Sequence, residues 1–156
     1  GTSGSSSDRD AYLYQEVTMP EGYYWVDVHS SIYGSVKRWA YAYMTYYAIV
    51  PKDTVMSGGT FNGDAVPEEN WRELWPFSDA CIENAWECPY LQRAETVYAA
   101  GGDYVFILRA ELKWPGFGAY AEYVFDDVQV IKADPDFPIE KNACDMVFCL
   151  EGFLYR

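Results

Sequence analysis

Residues 104–114 read Tyr-Val-Phe-Ile-Leu-Arg-Ala-Glu-Leu-Lys-Trp and alternate between two kinds of side chain. The even-numbered positions are all apolar: Tyr104, Phe106, Leu108, Ala110, Leu112 and Trp114. The odd-numbered positions begin with two apolar residues and continue with Arg109, Glu111 and Lys113. A period of two places successive side chains on opposite faces of a β-strand. The stretch therefore predicts a strand with one apolar face, and we expect the charged half of its other face to be solvated.

Residues 39–50 predict a second strand, and neither of its faces carries a charge. Its aromatic residues Trp39, Tyr41, Tyr43 and Tyr47 share one face, opposite mostly small residues. A strand without charge on either face is typical of one that is covered on both sides. For these aromatic residues, core packing or a subunit interface is favoured over contact with a ligand.

Further alternating runs predict strands over residues 11–18, 23–30, 119–125, 128–133 and 146–155. The apolar positions are odd-numbered before Asp126-Asp127 and even-numbered after it, which predicts a β-bulge between the two runs. The pattern as a whole indicates an all-β fold, and we expect a jelly-roll-like β-sandwich.

The segment 52–100 is expected to form a long, irregular connection with short helices. Pro67 predicts the start of one short helix, with Trp71 and Trp75 at helical spacing and Pro76 at its end. Ser78 is the predicted cap of a second short helix that carries Trp86. Long connections often carry function, so Trp71, Trp75 and Trp86 are the favoured ligand-binding candidates, with Tyr43 and Tyr47 behind them.

Length and charge limit the classes of function. The 156 residues suit one domain, which we place at residues 9–156, after a Gly/Ser-rich linker or N-terminal arm at residues 1–8. The chain carries 24 acidic and 11 basic residues, for a net charge of −13. Such a surface repels phosphate groups, so we expect no nucleic-acid partner. No apolar run is long enough to span a membrane.

Four cysteines, Cys81, Cys88, Cys144 and Cys149, predict disulfides and a secreted, extracellular protein. A zinc site is the weaker alternative, because neither spacing is Cys-x-x-Cys. Cys144 and Cys149 would lie about 16 Å apart on one continuous strand, whereas a bridge needs Cα atoms within about 7 Å. Three pairings of the four cysteines are open.

The sequence carries no recognised catalytic signature. The single histidine, His29, lies in a strand pattern, where a structural role is the more common one. Neither a Gly-x-Ser-x-Gly motif nor a phosphate-binding loop is present. Acidic turns such as Asp126-Asp127 could supply oxygen ligands to calcium, although solvated turn residues are the more ordinary interpretation. We therefore expect a protein that is not an enzyme.

Residues 121–131, Ala-Glu-Tyr-Val-Phe-Asp-Asp-Val-Gln-Val-Ile, resemble the closing strand of jelly-roll carbohydrate-binding modules. Residues 102–106 are similar to the Gly-x-Tyr strand that precedes it in those modules. The resemblance covers about 25 residues, and a further cysteine-containing segment follows where such modules end. It implies a β-sandwich, a non-catalytic role in glycan binding and a structural calcium near Asp126 or Asp127.

Two functions from different classes follow. The first is an extracellular carbohydrate-binding, lectin-like domain that recognises a glycan or polysaccharide through exposed Trp and Tyr side chains. The alternative is a structural subunit of an extracellular filament, pilus or surface layer. Such a subunit would self-assemble by exchange of the N-terminal strand with a neighbouring subunit.

Overall fold

The computed structural model describes residues 9–34, 43–76, 87–112, 121–133, 146–150 and 153–155. These ranges form long antiparallel strands joined by shorter elements. The strands are β1 (Arg9–Met19), β2 (Gly22–Gly34), β3 (Tyr43–Pro51), β4 (Met56–Ser57), β5 (Thr60–Phe61), β6 (Arg72–Glu73), β7 (Trp75–Pro76), β8 (Glu87–Ala99), β9 (Gly102–Leu112), β10 (Ala121–Lys132), β11 (Met146–Leu150) and β12 (Phe153–Tyr155). One helical turn, α1 (Lys52–Val55), and two 3-10 turns, Gly63–Ala65 and Glu68–Asn70, lie between β3 and β6.

Two antiparallel sheets pack face to face. Sheet I has the strand order β1-β9-β3-β6, and sheet II has the order β11-β10-β2-β8-β7, with β12 also pairing with β10. The predicted all-β sandwich is confirmed. The chain places β1 beside β9 and β2 beside β8, and the full jelly-roll path stays a prediction.

The main core fills the space between the sheets. Its buried apolar residues come from both sheets and include Val26, Val28, Tyr47, Phe106, Leu108, Phe125 and Val130. Burial of each such side chain contributes on the order of 1.5–3 kcal/mol. The hydroxyls of Ser30 and Thr45 hydrogen-bond across the interior at 2.6 Å, so these buried polar groups satisfy each other.

A second core covers the outer face of sheet I. It is formed by β3, β9 and the connection that follows β3, with Ala48, Val50, Val55, Val66, Val105 and Ile107 buried. The expectation that β3 is covered on both faces is therefore confirmed. The connection packs so closely that a Cβ atom on Gly63 would lie 2.7 Å from the ring of Tyr12.

The predicted bulge at Asp126-Asp127 is confirmed. The pairing of β10 with β2 shifts register between Asp126 and Gln129, and Asp127 adopts a φ of 48°. The two predicted strands over 119–125 and 128–133 are therefore one strand, with residues 119 and 120 outside the described residues. The last predicted strand, 146–155, appears as β11 and β12, which both pair with β10.

The predicted helix over 67–76 is wrong beyond Asn70. Its first turn exists after Pro67, but residues 72–73 form β6 on the edge of β3. The Leu74 N–H donates to the Thr45 carbonyl at 2.9 Å. Pairing with the open edge of β3 satisfies backbone groups of both segments, and this outweighs the weak local preference for helix. The second predicted helix, which starts at Ser78, lies outside the described residues.

The segment 52–100, which the sequence predicts to be irregular, also contains a central strand. Residues 87–99 form β8, which pairs with β2. Its inward positions include Arg93 and Glu95, whose side chains form an ion pair with Nε and Oε2 3.0 Å apart. These inward charges interrupt the apolar alternation between Leu91 and Val97, which is the signal that predicts a strand.

Candidate ligand-binding cleft

Two of the three charged side chains on the second face of β9, Arg109 and Glu111, are largely buried, contrary to the sequence-based expectation, and the third, Lys113, lies outside the described residues. The side chains of Arg109 and Glu111 are 11% and 5% exposed. Arg109 contacts Glu111, and its Nε donates to Asp10 Oδ1 at 3.1 Å. Burial lowers the pKa of Arg109, but the carboxylates of Asp10 and Glu111 outweigh it and raise the pKa above its ordinary value. The guanidinium therefore stays charged.

Trp71 covers this charged pair. The guanidinium carbon of Arg109 lies 5.1 Å from the centre of the Trp71 ring and 4.9 Å from that of Tyr46. Tyr12 stacks on Trp71 at 6.0 Å and donates a hydrogen bond to Asp64. Trp71 is thus a half-buried packing residue on the outer face of sheet I, and its predicted contact with a ligand stays a prediction.

The tyrosines of this cluster stay protonated. Burial, with nearby carboxylates, raises the pKa of Tyr12 and of Tyr46 well above the usual range. Both hydroxyls therefore remain hydrogen-bond donors at any ordinary pH. Tyr12 donates to Asp64, and Tyr46 lies 3.5 Å from the Glu111 carboxylate. The cluster is a packed structural network whose polar groups satisfy one another.

A cleft opens at the edge of the sandwich, between β3 and its connection on one side and the end of β8 on the other. We call it the edge cleft, and its volume is about 350 Å³. Its lining comprises Met19, Tyr47, Ile49, Glu69, Asn70, Arg72, Val97, Tyr98, Ala99 and Tyr104. This volume lies at the lower end of the range of small-molecule sites, which runs from about 300 to 1,000 Å³.

The floor of the edge cleft is fixed by a buried polar network. Tyr47 is 1% exposed, and its hydroxyl donates to Oε1 of Glu95. Burial and this hydrogen bond raise the pKa of Tyr47 well above the usual range. Arg72 approaches the same oxygen of Glu95, with Nε 3.7 Å from Oε1. Tyr47 therefore presents a fixed wall and no ring face that is free for stacking.

Exposed aromatic surface lies beside the edge cleft, on the outer face of sheet II, because Tyr98 alternates along β8 with the inward Val97 and Ala99. Tyr98 is 56% exposed, and its hydroxyl donates to Glu21 at 2.8 Å. Tyr23, also 56% exposed, lies beside it on β2 with ring centres 5.2 Å apart. The Tyr104 hydroxyl accepts from the Ala100 N–H at 3.1 Å. These hydrogen bonds hold the tyrosines in place, which lowers the entropy lost when a ligand binds.

The sequence alone does not identify this combination of residues. Glu69, Asn70 and Arg72 lie next to Trp71 in the connection, whereas Tyr98 and Tyr104 flank the Gly101-Gly102 turn. The two segments are about 30 residues apart in the chain. The only local signal is the pair of tyrosines around a glycine turn, and turns at the end of a sheet are common positions for binding residues.

The other predicted ligand-binding residues are only partly described. Tyr43 lies on β3 and Trp75 on β7, where the structure describes the backbone alone, and Trp86 lies outside the described residues. Their contacts with a ligand stay predictions. His29 lies on the outer face of sheet II, where its Nε2 is 3.0 Å from Asp27 and 3.1 Å from Gln92.

Asp126 and Asp127, the predicted calcium ligands, are exposed on the bulge of β10. The Asp127 N–H donates to the Asp126 carboxylate at 2.8 Å. In the part of the chain that the structure describes, no group of three or more His, Cys, Asp and Glu side chains converges on one point. Two carboxylates fall short of the six to eight oxygens that calcium takes, so calcium stays a prediction.

The strand order limits the predicted disulfides. Cys88 lies on β8 and Cys149 on β11, with β10 and β2 between them. Three strand spacings amount to about 14 Å, twice the largest Cα separation that a disulfide bridges. A bond between Cys88 and Cys149 is therefore excluded. The two remaining pairings involve Cys81 and Cys144, which lie outside the described residues.

Comparison of the chain with known protein families, curated proteins and solved structures finds no match. Across the described ranges, none of the helices has the length and apolar character needed to cross a membrane.

Proposed function

We propose that this protein is a non-catalytic carbohydrate-binding domain that takes a neutral glycan in the edge cleft. One observation carries the proposal: the cleft brings the half-buried Tyr104 together with Glu69, Asn70 and Arg72, three side chains with planar polar groups. A sugar has apolar C–H faces and a rim of hydroxyls, so its recognition needs both kinds of surface together.

The tyrosines of the cleft provide a surface for the apolar C–H face of a sugar. Tyr98 and Tyr104 line the same cleft, and tyrosine combines a flat apolar ring with a polar hydroxyl. Because the Tyr104 hydroxyl already accepts from the Ala100 N–H, its ring is the part that is available to a ligand. The C–H groups on one face of a sugar ring match such a surface.

The polar side supports recognition of the hydroxyls. Glu69, Asn70 and Arg72 come from the turn at Glu68–Asn70 and the start of β6. Together they supply acceptors from the carboxylate, donors from the guanidinium and both from the amide. Neighbouring hydroxyls of a sugar are donors and acceptors in turn, and two-point hydrogen bonds to planar groups give orientation as well as affinity.

The charge of the protein favours a neutral ligand. The net charge of −13 repels uronic or sulfated glycans over a distance of about 8 Å at physiological salt. The cleft itself has one carboxylate, Glu69, and one guanidinium, Arg72, and the latter lies near Glu95. No excess of positive charge lines this cleft to offset the repulsion.

Titration calorimetry with soluble glucan, xylan and mannan oligosaccharides tests the proposal. We expect one of these families to bind, and Arg72→Ala to weaken its binding about tenfold or more because the two-point hydrogen bonds of the guanidinium are lost. Lys132→Ala is the matched control, since Lys132 is also an exposed cation but lies on β10, outside the cleft. Absence of binding to every neutral oligosaccharide, or equal loss in the two variants, contradicts the proposal.

Secretion and calcium belong to the same proposal. A native-state thiol assay is expected to find no reactive sulfhydryl among the four cysteines. Thermal unfolding with calcium and with a chelator checks the metal, and a lower midpoint in chelator that disappears in Asp126→Asn is the expected result. Equal midpoints in the two buffers count against a structural calcium.

A further inference from the structure

β1 forms one edge of sheet I. Among the strands that the structure describes, it pairs on one side only, with β9, from Arg9 opposite Leu112 to Met19 opposite Gly102 without a bulge. Natural edge strands are usually kept short, bent by a bulge or protected by lysine or proline. β1 is 11 residues long and contains neither lysine nor proline.

The backbone groups that face the open side of β1 follow from the register. The Thr45 carbonyl accepts from Leu74, so Thr45 points away from β9. Its partner on β9, Ala110, therefore points toward β1, where it is opposite Ala11. Because these directions alternate along an antiparallel strand, the odd-numbered residues of β1 bond to β9. The even-numbered residues direct their N–H and C=O groups outward: Asp10, Tyr12, Tyr14, Glu16 and Thr18.

A side-chain contact agrees with this assignment. The Gln15 amide donates to the Glu16 carbonyl at 3.2 Å, which is possible because that carbonyl is not bonded to β9. The inward residues Leu13 and Val17 are only partly buried, as expected for a strand with one open side. Among the described residues, the open edge of β1 is thus an accessible row of backbone donors and acceptors.

Each of the two carboxylates on this edge has a basic partner, although the protein is strongly acidic. Asp10 is paired with Arg109, and Glu16 with Lys52 at 3.4 Å. At the centre of the edge lies Tyr14, which is 41% exposed and stacked on Phe61 with ring centres 4.0 Å apart. An exposed, immobilised aromatic ring is typical of an interaction surface.

We propose that the β1 edges of two copies of this chain pair in antiparallel fashion about a twofold axis at Tyr14. In that register Tyr14 lies opposite Tyr14 of the second copy, Tyr12 opposite Glu16 and Asp10 opposite Thr18. All five outward-directed residues then form hydrogen-bonded pairs, and two bonds for each give ten in total. Two four-stranded sheets become one continuous sheet of eight strands.

A second copy is favoured over an unrelated peptide because the edge is self-complementary. In the twofold register no two like charges face each other, and the central tyrosines form a cross-strand aromatic pair, which stabilises sheets. The ion pairs with Arg109 and Lys52 offset the carboxylates at the point of closest approach. Each strand also stays in its own sheet, which distinguishes this dimer from the exchange of N-terminal strands.

Sedimentation equilibrium of the full chain from low to high micromolar concentration tests the proposal. We expect the mass to rise from the 17.9 kDa of one chain toward twice that value, and to rise at lower concentration when salt screens the net charge. Tyr14→Lys places two ammonium groups opposite each other and is expected to remain monomeric. Tyr23→Lys, which makes the same change on β2, is the control and is expected to dimerise.

Tyr14→Pro gives a sharper test. Its N–H faces the open edge, so proline there leaves the pairing with β9 intact but removes hydrogen bonds at the centre of the dimer. Residue-resolved hydrogen exchange should protect the amides of Tyr12, Tyr14 and Glu16 only at high concentration, and those of Leu13 and Val17 at both. A chain that is monomeric at every concentration and salt, or dimers that persist in both Tyr14 variants, overturns the proposal.

Discussion

The burial of the Arg109–Glu111 pair makes a quantitative prediction. Arg109→Met removes the guanidinium from a site that is 11% exposed and takes this partner from the carboxylate of Glu111, which is 5% exposed. Loss of one partner from a buried ion pair costs about 3–5 kcal/mol. Loss of the cation–π contacts with the rings of Tyr46 and Trp71 adds about 0.5–2 kcal/mol to this cost.

Urea unfolding measures this cost. At a slope of about 2 kcal/mol per molar urea, a loss of about 4 kcal/mol lowers the midpoint by about 2 M. The double variant Arg109→Met, Glu111→Leu removes both members of the buried pair, and we expect it to be more stable than Arg109→Met alone. The difference between the urea midpoints of the double variant and Arg109→Met therefore separates the cost of the buried carboxylate from that of lost packing.

Arg72→Met is the matched control, because that side chain is 51% exposed and its contact with Glu95 is 3.7 Å long. A surface ion pair of this kind contributes about 0–1 kcal/mol. Equal losses for Arg109→Met and Arg72→Met would refute the reasoning, as would a double variant less stable than either single one. Equal losses would mean that Arg109 and Glu111 are solvated in the native protein, and a less stable double variant would mean that lost packing dominates the cost.

Three further predictions follow from the packing. Burial raises the pKa of Tyr12, Tyr46 and Tyr47, so their contribution to stability is complete below about pH 10 and is lost above it, where the unfolded chain releases these protons first. Urea unfolding from about pH 9 to about pH 11 should show the free energy of unfolding declining above about pH 10, by about 1.4 kcal/mol per pH unit for each of these tyrosines. The decline should be less steep in Tyr47→Phe, which lacks one of them. A flat profile would contradict it. Gly63→Ala should cost about 1–3 kcal/mol in urea unfolding, since its Cβ would lie 2.7 Å from the Tyr12 ring, and an unchanged midpoint would show that the ring is free to move. Asp127→Gly should raise the unfolding temperature and Asp127→Val lower it, because only glycine adopts a φ of 48° without strain; the reverse order would place the bulge elsewhere.

The sandwich and its strands can be predicted because alternation is a local property of the chain. The run that contains Phe106 and Leu108 faces the main core, and the change of parity at Asp126 marks the bulge. The cover over both faces of β3 also follows from local composition, since neither face carries a charge. In each case a few neighbouring residues hold the whole signal.

The features that escaped prediction depend on partners distant in sequence. Arg109 looks solvated in the sequence because its cover, Trp71, lies 38 residues earlier in the chain. β8 escaped because its inward Arg93 and Glu95 neutralise each other inside the sandwich, a pairing that a one-dimensional pattern does not reveal. The edge cleft joins residues from the connection and from the β8–β9 turn. Only the tertiary fold brings these segments together.

Glycan binding in the edge cleft is tested most directly by residue-resolved NMR during titration with the oligosaccharide that binds. We expect the amide shifts to change at Glu69, Asn70, Arg72, Tyr98 and Tyr104, which line the cleft. The amide shifts of residues 10–16 of β1, on the opposite edge of sheet I from β6, should not change. Saturable binding whose shifts fall on another face and leave the cleft unchanged would contradict the account.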